Sequence, residues 1–218
     1  RKDTKVSLEG LFSKIKHGDY QELIQELRTK DSKKERDIFK STKLPAFTYS
    51  VSCNGPHSRD YIYEYLNIVG IDIDGINDPE NIKKRACEID TTWAAFISPS
   101  GNGLKIFVKV SSDIKDHNNA FKVVNAYYAD QLEIEFDSSV KDLTRLCFVS
   151  YDPDLYLNEK AIVFDVENAL KLHQSTQLDL DYLFKNTMLG FREGNRHKVL
   201  ISCAGKANRL GIEKDEVI

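Results

Sequence analysis

The chain has 218 residues, 41% of them hydrophobic and 30% charged, with a formal net charge of -3. That balance excludes a disordered or fibrous chain, and no apolar run approaches the roughly 20 residues needed to span a bilayer, so no membrane partner is expected. The near-neutral total also excludes a polypeptide that is basic throughout, leaving any nucleic-acid signal to local clusters.

The chain opens with helix: Leu8, Leu11, Phe12 and Ile15 fall at helical spacing, and Leu23, Ile24 and Leu27 continue after a break at Gly18-Asp19. From Arg28 to Lys43 seven basic residues then face three acidic ones. This run suits either a phosphate track or a solvated helix face. Pro45 starts an apolar run through Phe47 and Val51 that reads as a strand, and a tyrosine-rich helix is expected over Ser58 to Leu66, with Tyr61 and Tyr65 on one face. A strand follows over Ile68 to Asp74, and Pro79 starts a helix running to Ile89.

Two strands, Trp93 to Ile97 and Leu104 to Val110, are joined by Ser98-Pro99-Ser100-Gly101-Asn102-Gly103. The Asn102-Gly103 pair predicts a tight hairpin in which both residues take positive φ. A helix over His117 to Leu132 should turn Val124, Tyr127 and Tyr128 inward, with short strands at Glu133 to Phe136, Arg145 to Ser150 and Ala161 to Phe164. The order of elements predicts an α+β domain, a sheet with helices on one side. We expect a helical region over 1–44, the main domain over 45–165, a linker over 166–180 and the start of a small helical domain over 181–218. Because Glu213 to Glu216 resemble a first helical turn just before Ile218, and Arg1 opens the chain, further sequence is expected.

Four cysteines, Cys53, Cys87, Cys147 and Cys203, lie far apart without a CxxC pair. Neither cysteine-bound zinc nor a disulfide framework is expected, and a cytoplasmic setting fits. A second basic cluster, Arg192 to Arg209, sets five basic residues against one acid.

The strongest chemical feature is Ile71-Asp72-Ile73-Asp74-Gly75. On a strand, residues two apart point the same way, so both carboxylates share one face while the isoleucines enter the core. Side by side they repel unless a cation lies between them, and hard divalent ions prefer such oxygen ligands. The plain alternative is a strand end with two solvated aspartates. Asp137, after Phe136, could supply a third carboxylate at the same sheet edge; Asp142 is its rival, although it could merely cap a turn. Three carboxylates can hold two metals that clamp the attacking and leaving oxygens of a phosphoryl transfer.

In the hairpin, Gly101 and Gly103 would let backbone N–H groups approach an anion, with Ser100 and Lys105 adding a hydroxyl and a positive charge. Arg145 could reach the same phosphates or be an ordinary surface residue. An Asn-Gly hairpin, equally, needs no ligand.

Asp72-Ile73-Asp74, Ser98 to Lys105, Phe136-Asp137 and Arg145 appear in the order of the three catalytic motifs of archaeo-eukaryotic primases. Residues 45 to 165 resemble that primase-polymerase superfamily, in the branch near the N-terminal domain of virulence-associated E-like replication proteins of mobile elements and phages. The likeness implies a mixed, RRM-like sheet and a template-dependent nucleotidyltransferase using two Mg2+ or Mn2+ ions. Asp72, Asp74 and Asp137 would be metal ligands, and Ser100, Gly101, Gly103, Lys105 and Arg145 would bind the nucleotide's phosphates. Partners would be a nucleic-acid template, nucleoside triphosphates and a helicase domain or protein. Glu193-Gly194-Asn195-Arg196-His197 resembles the start of the small helical domain that often follows such cores. Many primases carry a histidine where this chain has Lys105, and they often carry zinc-binding cysteines. Two alternatives stand beside this reading: a non-catalytic nucleic-acid-binding domain, with Tyr127-Tyr128 stacking on a strand, and a haloacid-dehalogenase-type phosphatase using Asp72 as nucleophile.

Overall fold

Helix α1, Leu8–His17, is set at both ends by local chemistry. The Ser7 hydroxyl accepts a hydrogen bond from the Gly10 N–H, and Gly18 closes the helix in the left-handed conformation at φ 91°. Helix α2, Gln21–Arg28, and helix α3, Lys33–Lys43, follow, the latter opened by a capping box between Ser32 and Glu35. The computed structural model describes residues 6–134 and 142–172 of the chain. The chain divides into two compact units, Arg1–Val166 and Glu167–Ile218, and the features below belong to the first, apart from residues 167–172.

The strands are β1 (Ala46–Thr48), β2 (Val51–Cys53), β3 (Ile62–Tyr65), β4 (Ile68–Asp74), β5 (Thr92–Ile97), β6 (Gly103–Lys109), β7 (Leu146–Phe148) and β8 (Tyr156–Leu157). Helix α4, Pro79–Cys87, lies between β4 and β5, and α5, His117–Leu132, follows β6. The central sheet runs β4-β6-β5-β8, with β1-β7 and β2-β3 as two-stranded ribbons. All these named pairs are antiparallel. A parallel contact appears in the isolated bridge between Val110 and Phe164. The protein is therefore α+β. Among the described residues no helix is long and apolar enough to cross a membrane.

Period-2 alternation assigns the two faces of the sheet. Val69, Ile71 and Ile73 lie opposite Val108, Ile106 and Leu104 on one face, and all six are buried. Helices α4 and α5 pack on this side; Thr92 Oγ1 on β5 donates to the Ala86 carbonyl of α4 and bonds the Tyr128 hydroxyl of α5. On the other face Phe96 and Phe107 stack, and Phe12 of α1 sits against both and against Trp93, with ring centroids 5.3 to 6.0 Å apart. Helices thus cover both faces rather than one. The N-terminal helical region is part of the core, because Phe12 and Ile15 are fully buried in it.

Several local expectations change. The expected tyrosine helix is a 3-10 turn at Arg59–Tyr61 followed by β3. Tyr61, Tyr63 and Tyr65 alternate with Ile62 and Glu64, which fits a pleated strand, and pairing with β2 satisfies the backbone. The first apolar run is two strands, β1 and β2, rather than one. Tyr128 is fully buried, but Tyr127 is 38% exposed. No strand begins at Glu133, which instead ends α5 in the left-handed conformation. Residues 161–163 form no strand either, and β8 takes the place beside β5. Residues 167–172, in the expected linker, are helical.

Candidate functional site

Asp72 and Asp74 project from the same face of β4, opposite Lys105 and Gly103 of β6. Asp72 is half-buried and Asp74 is exposed. Lys105 Nζ donates to Asp72 Oδ1, and Arg145 Nη2, just before β7, donates to Asp72 Oδ2 at 3.1 Å. One carboxylate therefore receives two cations from two other parts of the chain, both of which sequence reading had assigned to phosphates and not to Asp72. The three side chains are 14 to 29% exposed, so their attraction is screened less than on an open surface.

They line a cleft of about 220 Å³ together with Asp74, Ser98 and Ser100. Its remaining wall comes from Asp37 and Lys40 of α3 and from Tyr49, Cys147 and Phe148. Three acids, Asp37, Asp72 and Asp74, meet three bases, Lys40, Lys105 and Arg145, so the cleft is near charge balance. Burial pushes the Tyr49 phenol well above its ordinary pKa and the Cys147 thiol up to about 12. Both therefore stay protonated and neutral.

The hairpin differs from the expected Asn-Gly turn. Ser98 N–H donates to the Gly103 carbonyl and Gly101 N–H to the Ser98 carbonyl, and positive φ, 82°, falls at Gly101. Gly103 is a strand residue needed for another reason. A Cβ there would lie 2.5 Å from the Ile73 carbonyl oxygen, 3.0 Å from Ser98 Oγ and 3.2 Å from Asp74 Oδ1. The missing side chain lets β6 pass directly beneath the carboxylates.

Several bonds fix this turn. Arg28 Nε, at the end of α2, donates to the Pro99 carbonyl at 3.2 Å. The Ile76 N–H donates to the Asn102 carbonyl, tying the loop after β4 to the hairpin. Behind it the buried Asp152 accepts from the Ile97 N–H at 2.8 Å and from Lys83 Nζ at 2.9 and 3.1 Å. Burial lowers the Lys83 pKa, but the hydrogen bonds it donates to Glu80 and Asp152, with their negative charge, outweigh that and leave the pKa raised. Asp152 is thus a structural anchor and not a free acid. The Ser98 hydroxyl is buried and has no hydrogen-bond partner among the described residues.

Asp142 serves a turn: its carboxylate accepts from the Thr144 N–H and hydroxyl, and its carbonyl accepts from the Arg145 N–H. It therefore acts as the local cap that sequence reading set against a ligand role. Asp137 lies outside the described residues. Among the described residues no three His, Cys, Asp or Glu side chains form a metal-binding group. The carboxylate oxygens of Asp72 and Asp74 are of the kind that Mg2+ or Mn2+ prefers, but both Asp72 oxygens are engaged by Lys105 and Arg145, so a divalent ion there would have to displace one of those cations.

Sequence reading gave no individual site role to Asp37, Lys40, Tyr49, Ser98 or Arg28, although Ser98 opens the hairpin motif and Arg28, Asp37 and Lys40 lie in the charged run from Arg28 to Lys43. No curated protein and no solved structure matches this chain. Residues 40–157 match the family described as BT4734-like, N-terminal domain. That match spans more than half of the chain and takes in β1 to β8 with the whole cleft apart from Asp37, and the protein belongs to the BT4734-like N-terminal domain family.

Proposed function

We propose that this domain is a metal-dependent, template-directed nucleotidyltransferase of the primase-polymerase kind. The observation that carries the reading is Asp72 held between Lys105 and Arg145, beside Asp74 and a glycine turn. Paired carboxylates meeting separate cations in one small cleft suit a substrate that brings both a metal and phosphates. Asp72 and Asp74, with Asp137, would hold Mg2+ or Mn2+, which supplies positive charge to stabilise the reacting phosphate. Lys105 and Arg145 carry charge to the other phosphate oxygens, and Ser100 adds a hydroxyl donor. Gly101 and Gly103 give the turn room, and the neutral Tyr49 contributes an apolar wall. A growing strand's 3′-hydroxyl would lose its proton and attack the α-phosphate of a nucleoside triphosphate, breaking the bond between the α- and β-phosphates, releasing pyrophosphate and extending a copy of a nucleic-acid template.

The test is incorporation of radioactive nucleotide on primed and unprimed templates in Mg2+ and in Mn2+. Incorporation in neither metal would leave a nucleic-acid-binding domain as the better description, a second reading favoured by the seven basic residues against three acidic ones from Arg28 to Lys43. A phosphatase would instead release phosphate from a simple ester without a template. That reading expects a doubly wound parallel domain, whereas β4 lies in an antiparallel sheet, and Asp72 is engaged by two cations.

A further inference from the structure

Helix α3 places one side of its turns on the cleft and another in solvent. Asp37 and Lys40 line the cleft, while Asp37 also lines a shallow surface groove with Lys33, Lys34, Ile38 and Ser41. Residues 33, 37 and 40 follow i, i+4, i+7 spacing, so they form a single stripe about 10 Å long that ends in the cleft. The adjacent stripe carries Lys34 and Ile38, the latter 54% exposed. Lys33 and Lys34 are exposed and enter no ion pair among the described residues.

The acids of this segment are largely engaged: Glu35 is used in the capping box with Ser32, and Asp37 pairs with Lys40 at 3.7 Å. The platform is firmly fixed. Phe39 is buried beneath it with Ile24, Leu27 and Leu44, and Arg36 donates to the Lys30 and Asp31 carbonyls. From Arg28 to Lys43 the sequence carries a net +4, seven bases less three acids, in a chain whose total is -3. The basic residues left over therefore form a local field of one sign, directed along a rigid helix toward the cleft.

We propose that the outer face of α3 is a docking track for single-stranded nucleic acid, with Lys33 and Lys34 on its phosphates and Ile38 against a sugar or base. The track delivers the strand to the cleft through Lys40, and Arg28, at the end of α2 that packs beside α3, ties that helix pair to the glycine turn. This inference rests on the nucleotidyltransferase reading for its direction, but its chemistry is separate, since binding of a strand needs no catalysis.

The test is fluorescence anisotropy of a labelled single-stranded oligonucleotide across a salt series, with the full 218-residue chain. Lys33→Glu combined with Lys34→Glu should weaken binding at least about 10-fold and reduce the slope of log affinity against log salt by about 2. Lys14→Glu with Lys122→Glu, an equal charge change on α1 and α5, should leave that slope nearly unchanged. In template-extension assays the α3 pair should raise the KM for template and leave kcat alone, while Asp72→Ala with Asp74→Ala should not weaken strand binding. Equal losses in both lysine pairs, or equal affinity for poly-glutamate, would overturn the track; the latter would point to an acidic protein partner. A wild-type chain that binds the strand through α3 yet never incorporates nucleotide would uphold the track and sink the catalytic reading alone.

Discussion

The two faces of the central sheet are made from the same strands and follow opposite rules. One face is uniformly apolar: Val69, Ile71, Ile73, Leu104, Ile106 and Val108 are buried under α4 and α5. The other changes character along its length. At one end Phe96, Phe107 and Trp93 take Phe12 of α1, and at the other Asp72, Asp74 and Lys105 open into the cleft. Strand alternation makes this possible, because an acid on β4 leaves its neighbours free to bury apolar surface on the reverse side. Charge is concentrated at one end of this second face, while burial at its other end and across the whole reverse face supplies the core.

The largest effect tests the open end. Asp72→Ala with Asp74→Ala should reduce nucleotide incorporation at least about 10^4-fold, about 5 kcal/mol of transition-state stabilisation, while far-UV circular dichroism and urea midpoint stay near wild type. If the double variant still extends a primer, the carboxylates are not the reacting site. At the closed end of the same face, Phe12→Ala should cost about 3–5 kcal/mol by urea unfolding, since three aromatic neighbours would line the void. A loss below about 1 kcal/mol would mean that α1 is dispensable to the core.

Much of this contrast was legible beforehand. Asp72-Ile73-Asp74 announces two carboxylates on one face because period 2 is a property of any strand, and α1, α2, α4 and α5 were marked by helical spacing, Gly18 and Pro79. The Lys105 contact with Asp72 depends on β6 lying beside β4, and the Arg145 contact on where the separate β1-β7 ribbon brings the residue before β7; no local pattern encodes either. The 58–66 segment failed for a related reason: Tyr61 and Tyr65 match helical and strand spacing equally, and pairing with β2 decides between them. Gly103 was singled out for its backbone freedom, yet its role is to admit the neighbouring strand. Asp37 and Lys40 stayed hidden because a helix far from the motifs supplies the cleft wall.

Gly70 sharpens the comparison midway along the open face. A Cβ there would fall 2.6 Å from Cε2 and 2.7 Å from Cζ of Tyr49, whose ring is buried on the cleft wall. Gly70→Ala should therefore cost about 1–3 kcal/mol, and adding Tyr49→Ala should recover part of that loss, a coupling that urea unfolding of both single variants and the double variant would measure. Strict additivity would show that the ring and the strand do not confront each other.

The smallest effect concerns the helix covering the closed face. His117 begins α5, is 3% exposed, and its Nδ1 lies 3.1 Å from the Tyr65 hydroxyl. Burial lowers its pKa from 6.5 to about 4, while Asp142 pulls weakly in the opposite direction. In the unfolded chain the imidazole takes up a proton near pH 6.5, whereas in the folded chain it resists until about pH 4. The stability due to the neutral ring is thus complete above pH 6.5 and declines as pH falls toward 4, on the order of 2 kcal/mol in total. Urea midpoints at several pH values should show this decline in the wild type and a shallower one in His117→Gln, because glutamine cannot take up the proton. Parallel pH profiles would place the acid sensitivity elsewhere, and the edge of α5 would then owe its position to packing and not to a neutral imidazole.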